Sequence, residues 1–241
     1  MSPASREEAG RGETGTIMLR CGSVLERLPG PKYLTSLSFA ELAPRAPLPR
    51  AATLKKARSA LPDGLEIALR APRGAVSGGR GTLRFDDVLE SGLQWLLRAR
   101  EALDASILVI PTPADLTPSM RSRKLLRAYR ERLPPSDSGV TCVWAPRGPW
   151  EPETAARFAE SVDLVLAFDP LLDPRPPGPV VYARLTALGV RRTFSDAALD
   201  DALDVILSEP VERGYISIDS DRSFKQAERL SHLIQGAVAQ A

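Results

Sequence analysis

Histidine, cysteine and lysine are scarce in this chain of 241 residues: it carries one His, two Cys and five Lys, the remaining basic residues being 27 Arg. The lone histidine, His232, falls late in the last helical pattern. Its isolation excludes the several-His ligand sets of transition-metal barrel enzymes, and the Ser-His-Asp constellation with them. Cys21 and Cys142 stand in no CxxC or ligand spacing, so neither a disulfide framework nor a zinc site is expected, and a reduced, cytoplasmic interior is the default setting. No stretch approaches the roughly 18 consecutive apolar residues of a membrane span, so no membrane partner is expected. Charge of neither sign dominates, Lys+Arg being 32 against Asp+Glu 30, and the net charge of +2 gives no argument for nucleic acid. What remains is 43% hydrophobic and 26% charged, the composition of a soluble globular protein long enough for one large α/β barrel. Residues 1–15, rich in Ser, Glu, Gly and Arg, read as a flexible tail with no signal-peptide pattern, and residues 16–241 read as one domain.

Eight β-like runs recur along that domain: Thr16–Cys21, Leu34–Ala40, Leu65–Arg70, Ser106–Ile110, Val140–Trp144, Asp163–Phe168, Val180–Leu185 and Tyr215–Ile218. Runs such as ILVI, DLVLAF and VVYARL are almost continuously apolar, the pattern of parallel strands buried on both faces. Helical patterns alternate with them. Asp87 and Glu90 open one with Leu89, Leu93, Leu96, Leu97 and Leu103 on one face, and Thr117-Pro118 opens the next. Glu151-Pro152, Ser195 and Ser223 with Gln226 start three more, and an earlier helix covers Ala51–Leu61. The segment Asp173–Pro179 (DPRPPGP) reads as a loop inside the alternation. Cys21-Gly22-Ser23 is not a GxGxxG loop, so a dinucleotide-binding Rossmann sheet has no support. Repeated right-handed crossovers with eight strands predict a single (β/α)8-type TIM barrel. It is distorted or missing a helix after the first strand, where only about a dozen residues precede the second.

The order of local patterns resembles the YecE-like family of TIM-barrel proteins, the domain of unknown function 72. The segment LPRAATLKKARSALPDGLEIALRAPRG, Leu48–Gly74, is similar to the family's Pro-helix-strand segment. VVYARL, Val180–Leu185, is similar to its Y-V-R-x-H-G strand, and GYISIDSDRSFKQAERLSHL, Gly214–Leu233, to its closing strand and helix. The departures fall on polar positions. The family's His after the Y-x-R strand is Thr186 here, its Glu-x-Arg-His segment falls near Trp144–Arg147 without the Glu or His, and its third-strand Lys is Arg70. The departures make this a pared-down member in appearance, and the resemblance implies a barrel that can hold a ligand site, from a family with no settled reaction.

Barrel proteins place working residues at the carboxyl ends of strands and in the loops that follow. Those positions here are Cys21, Glu41, Arg70, Thr112, Trp144, Asp169, Arg184 and Asp219, with Arg147 and Trp150 in the loop after the fifth strand. Arg70 and Arg184 at one mouth with Glu41, Asp169 and Asp219 point to a small phosphate- or carboxylate-bearing ligand, because guanidinium forks bind such anions bidentately. Tyr182 lies on the same strand side as Arg184, and Trp144 and Trp150 are candidates to stack a ligand. The opposing reading is a structural ion-pair ring that closes the barrel top, in a catalytically degenerate barrel acting as a binding or interaction protein. The three carboxylates make a poor metal site, so no metal and no cofactor are expected. Cys21 lacks a base to activate it. Of the basic runs Arg121–Arg132 and Arg191-Arg192, the first alternates with a leucine stripe and reads as the solvated face of a helix, and scattered Arg gives no continuous basic face, so no nucleic-acid partner is expected. Alternation along VVYARL turns Val181, Ala183 and Leu185 to the helices and Arg184 into the barrel, where a carboxylate must meet it; Asp219 and Asp169 are the expected partners.

Overall fold

The computed structural model of the protein describes residues 17–238, so the expected tail and Thr16 lie outside the described residues. Eight parallel strands close into a barrel in sequence order: β1 (Met18–Leu25), β2 (Phe39–Leu42), β3 (Glu66–Arg70), β4 (Ile107–Pro111), β5 (Thr141–Ala145), β6 (Val165–Phe168), β7 (Val180–Thr186) and β8 (Arg213–Asp219), with β8 pairing back onto β1. The helices are α1 (Pro31–Leu34), α2 (Ala51–Arg58), α3 (Arg73–Val76), α4 (Asp87–Leu103), α5 (Met120–Arg130), α6 (Pro152–Ser161), α7 (Asp196–Ile206) and α8 (Ser223–Val238). The fold is the α/β TIM barrel that the alternation implies.

Strand alternation sorts every side chain into one of two cores. The barrel interior holds Phe39, Ala68, Ile107, Val109, Val143, Ala145, Tyr182 and Tyr215, all buried. Three aromatic rings fill it, Phe39 and Tyr215 at 5.2 Å between centroids and Tyr182 and Tyr215 at 6.3 Å, while Ala68 and Ala145 make room opposite. The other parity faces the helices. Val181, Ala183 and Leu185 pack with Leu199, Leu203 and Leu230, so Arg184 points inward as its strand pattern requires. The apolar stripe of α4, Leu89, Leu93, Leu96 and Leu103, is fully covered.

Several boundaries differ from the sequence reading for local reasons. The run Leu34–Ala40 is not a strand from its start: Pro31 opens the single turn α1, and Tyr33 and Leu37 are buried at helical spacing ahead of β2. The short helix after β1 is thus vestigial, as the spacing implies. Asp86 and not Asp87 caps α4, its carboxylate accepting from the amides of Leu89 at 3.1 Å and Gly79 at 3.0 Å. Ser119 and not Thr117 caps α5 through the amide of Ser122. Gln226 bonds Ser220 and the Phe194 carbonyl, so it forms no capping box with Ser223. Between β6 and β7 no helix forms, and the Pro-rich loop descends in its place.

The β1–β2 seam sets the level of the mouth. These strands pair only at Val24↔Glu41 and Leu25↔Leu42. Below that the Tyr33 hydroxyl bridges them, accepting from the Ser23 amide at 2.8 Å and donating to the Phe39 carbonyl at 2.6 Å. A Cβ on Gly22 would collide with that carbonyl and that hydroxyl, so the seam requires glycine. β1 therefore continues to Leu25, and Cys21 is mid-strand, turned outward, its thiol donating to the Ala227 carbonyl at 3.1 Å. Cys21 is not a mouth residue. Burial raises its pKa to about 12, which keeps it an unreactive thiol.

Candidate functional site

Inward parity near the carboxyl ends of β2, β3 and β7 brings Glu41, Arg70 and Arg184 to one point. Glu41 is 0% exposed and is the hub. Its Oε1 accepts from Arg70 Nε at 2.5 Å, its Oε2 lies 3.6 Å from Arg184 Nε, and the Tyr182 hydroxyl donates to Oε2 at 3.0 Å. Arg184 was expected to meet Asp219 or Asp169; it meets Glu41 instead. Asp219 is taken by Arg192, whose Nη2 lies 2.8 Å from its Oδ1, and Asp169 stands beyond the end of β6 in the following turn. Arg70 reaches Glu41 from the neighbouring strand β3, whereas Arg184 reaches it across the barrel from β7, a pairing that neither strand order nor loop position announces.

Burial works to raise the pKa of Glu41, but Arg184 and Arg70 outweigh it and bring the carboxyl down to about 2. Ser217 lies beside the same carboxylate and adds to that stabilisation, although its hydroxyl falls outside hydrogen-bond geometry. Burial and the adjacent Glu41 charge hold the Tyr182 hydroxyl well above its ordinary pKa, so it stays a donor. Replacing Tyr182 by Phe should therefore cost about 1.5–3 kcal/mol, the worth of a buried hydrogen bond to a charged group, read as a loss in chemical-denaturation midpoint at constant slope. A loss below about 0.5 kcal/mol would show that the hydroxyl bond contributes nothing.

The guanidiniums are not used up by this hub. Arg70 and Arg184 are 15% and 18% exposed, Arg70 Nη2 is buried with no partner, and Arg184 Nε makes the ion pair without a hydrogen bond. Arg147, in the β5–α6 loop, has no hydrogen bond or ion pair among the described residues. Its pKa is lowered, first by desolvation and then by repulsion from Arg184 and Arg70. Two cavities open at this mouth. One of about 540 Å³ is lined by Arg70, Arg73, Thr112, Arg147 and Asp219; the other, of about 440 Å³, by Arg184, Asp169, Asp173, Thr186 and Trp150. Burial raises the pKa of Asp169, and neighbouring Asp173 adds to the rise, while amide hydrogen bonds and Arg184 oppose it.

The two tryptophans play other parts than the sequence suggests. Trp144 is 0% exposed and faces the helices, stacked edge-on against Trp150 at 4.9 Å, with its indole donating to Thr112 at 2.9 Å. Strand parity places it there: Val143 and Ala145, on either side, face inward. Trp150 is buried too, its indole donating to the Leu116 carbonyl, but one face borders the second cavity. The sequence reading named Arg192 only within a basic run and did not pair it with Asp219, which it neutralises, and it overlooked Ser217 beside Glu41; inward parity on β8 would have found the serine. Among the described residues no group of three or more His, Cys, Asp or Glu is placed to hold a metal ion, and no helix is long and apolar enough to cross a membrane.

A parallel barrel with partly buried, carboxylate-tethered arginines at its carboxyl-end mouth is the class this geometry defines. No family model matches the sequence, and no curated protein does. In three dimensions the chain is similar to a DUF72 family protein from Enterococcus faecalis V583, with a TM-score of 0.70 at 13% identity over 92% of this chain and 99% of that one. A DUF72 family protein from Thermotoga maritima MSB8 gives 0.64 at 14% identity over 90% and 99%. A xylose isomerase domain protein from Planctomyces limnophilus gives 0.59 at 11% identity over 95% and 100%. The resemblance to the YecE-like, DUF72 proteins thus holds as a likeness of fold.

Proposed function

We propose that the protein binds a small anionic, phosphate- or carboxylate-bearing ligand at the carboxyl-end mouth of its barrel, in the cytoplasm. Arg70 and Arg184 make the primary contacts. The observation that carries this reading is the surplus of guanidinium donors: Arg70 Nη2 is buried without a partner at the edge of an open cavity. A buried unpaired donor costs about 1–3 kcal/mol, and an anion in the cavity relieves that cost. A mere structural ring would pair its charges, whereas here one buried carboxylate serves two arginines and a third stands beside them. Glu41 is a positioning residue, fixing both forks without touching the ligand, and Asp169 and Asp219 border the cavities.

Thermal melts with a panel of phosphorylated and carboxylated metabolites test the proposal. A ligand at about 100 times its Kd adds about 2.7 kcal/mol, a Tm rise of roughly 5–10 °C for a chain of this length. Arg70→Leu and Arg184→Leu should each lose most of that rise. If no anion in the panel stabilises the wild type, the mouth is a structural ring and the proposal fails.

A further inference from the structure

The mouth carries more positive charge than a single carboxylate ligand would neutralise. Arg70, Arg184 and Arg147 face a lone Glu41, so the cluster holds a net charge of about +2 with every group in its ordinary state. Asp219 also acts on Arg70, but its charge is shared with Arg192, its ion-pair partner, so the pair as a whole adds no net negative charge to the mouth. Arg147 lines the same cavity as Arg70 and stands close enough to Arg70 and Arg184 to be disfavoured by both. It is anchored by nothing among the described residues. A long, unpartnered guanidinium held near two others is relieved by an anion that all three share.

We infer that this mouth selects a dianion, a phosphate monoester, with Arg147 as the residue that sets the preference for two charges over one. The inference rests on the anion-binding reading above and sharpens it. Arg70 and Arg184, oriented by Glu41, supply donors that any anion can use. Arg147 adds charge from an exposed loop position, and beside the partly buried Arg70 and Arg184 the interaction of its guanidinium with a second negative charge is worth more than in bulk water. The organic part of the ester extends into the neighbouring cavity, where Asp169, Asp173 and Thr186 offer acceptors to hydroxyl groups.

Glycerol 3-phosphate and glycerol 3-sulfate differ in charge but hardly in shape, since the phosphate monoester is doubly ionised well above its second pKa of about 6 and the sulfate ester carries one charge. Calorimetry at pH 8 on the full chain should give the phosphate at least about tenfold tighter binding. Arg147→Gln should reduce that ratio to about two- to threefold while leaving the sulfate's Kd nearly unchanged, because Arg70 and Arg184 remain. Arg191→Gln, a neighbouring loop arginine that lines neither cavity, should leave the ratio as it is. Equal affinity for the two esters, a ratio unmoved by Arg147→Gln, or a preference for acetate or other monocarboxylates overturns this inference and leaves the anion site standing. Binding of neither ester nor any carboxylate takes down both.

Discussion

Replacing Glu41 by Gln is expected to remove about 3 kcal/mol of folding stability at neutral pH and to flatten the acid side of the stability profile. Gln matches Glu in volume, so packing is conserved and the change isolates the charge. The magnitude follows from the carboxyl's displacement from its ordinary 4.5 to about 2, at ~1.4 kcal/mol per pKa unit. It agrees in scale with the roughly 3–5 kcal/mol lost when one member of a buried ion pair is deleted. Because the folded-state pKa is depressed, the stabilisation is fully present above the ordinary carboxyl pKa. It disappears as pH falls from about 4.5 toward about 2. The wild type should lose this increment over that window, and Glu41→Gln, lacking it at every pH, should not. Guanidinium chloride titrations at pH 7 and pH 3 on both proteins give the comparison. A Gln variant within about 1 kcal/mol of wild type at pH 7 would show that Glu41 does not hold the arginines.

Strand periodicity carried most of the barrel and half of the mouth. VVYARL alternates cleanly, so the inward turn of Arg184 followed from parity alone, while end-of-strand position put Arg70 at the same mouth. Trp144 was misplaced because end-of-strand position says nothing without parity. It sits near a strand end, but Val143 and Ala145 are the inward residues of β5, which sends the indole to the helices. Glu41 as a shared hub was not legible. One partner comes from the adjacent β3 but the other from β7, and the distance across a barrel lumen is fixed by closure of all eight strands, which no local window contains. The Tyr33 hydroxyl in the β1–β2 seam was hidden for a related reason: a side chain there takes the place of ladder bonds, and only Gly22 hints that something approaches closely.

The double variant Arg70→Leu/Arg184→Leu is expected to invert the pH dependence of stability. Each single change leaves Glu41 one guanidinium. Arg70→Leu removes both an ion pair and a hydrogen bond at 2.5 Å and should cost about 3–5 kcal/mol, whereas Arg184→Leu removes only the 3.6 Å pair and should cost about half as much. With both gone, the two cations that depress the Glu41 pKa are lost, and burial outweighs the smaller support left from Ser217 and the Tyr182 hydroxyl. A fully buried carboxyl without a counter-charge takes up a proton, so its folded-state pKa moves above the unfolded value. The folded protein then binds more protons than the unfolded chain, and stability falls as pH rises above about 4.5, the opposite of the wild-type slope. Protonation also caps the damage at low pH, so the two substitutions should couple there, costing less together than the sum of their separate effects. Denaturation profiles of the four proteins from pH 4 to pH 8 distinguish the cases. A double variant whose stability rises or stays level across that range would mean that Glu41 remains ionised by other groups, and that Arg70 and Arg184 are not what hold its charge in the barrel.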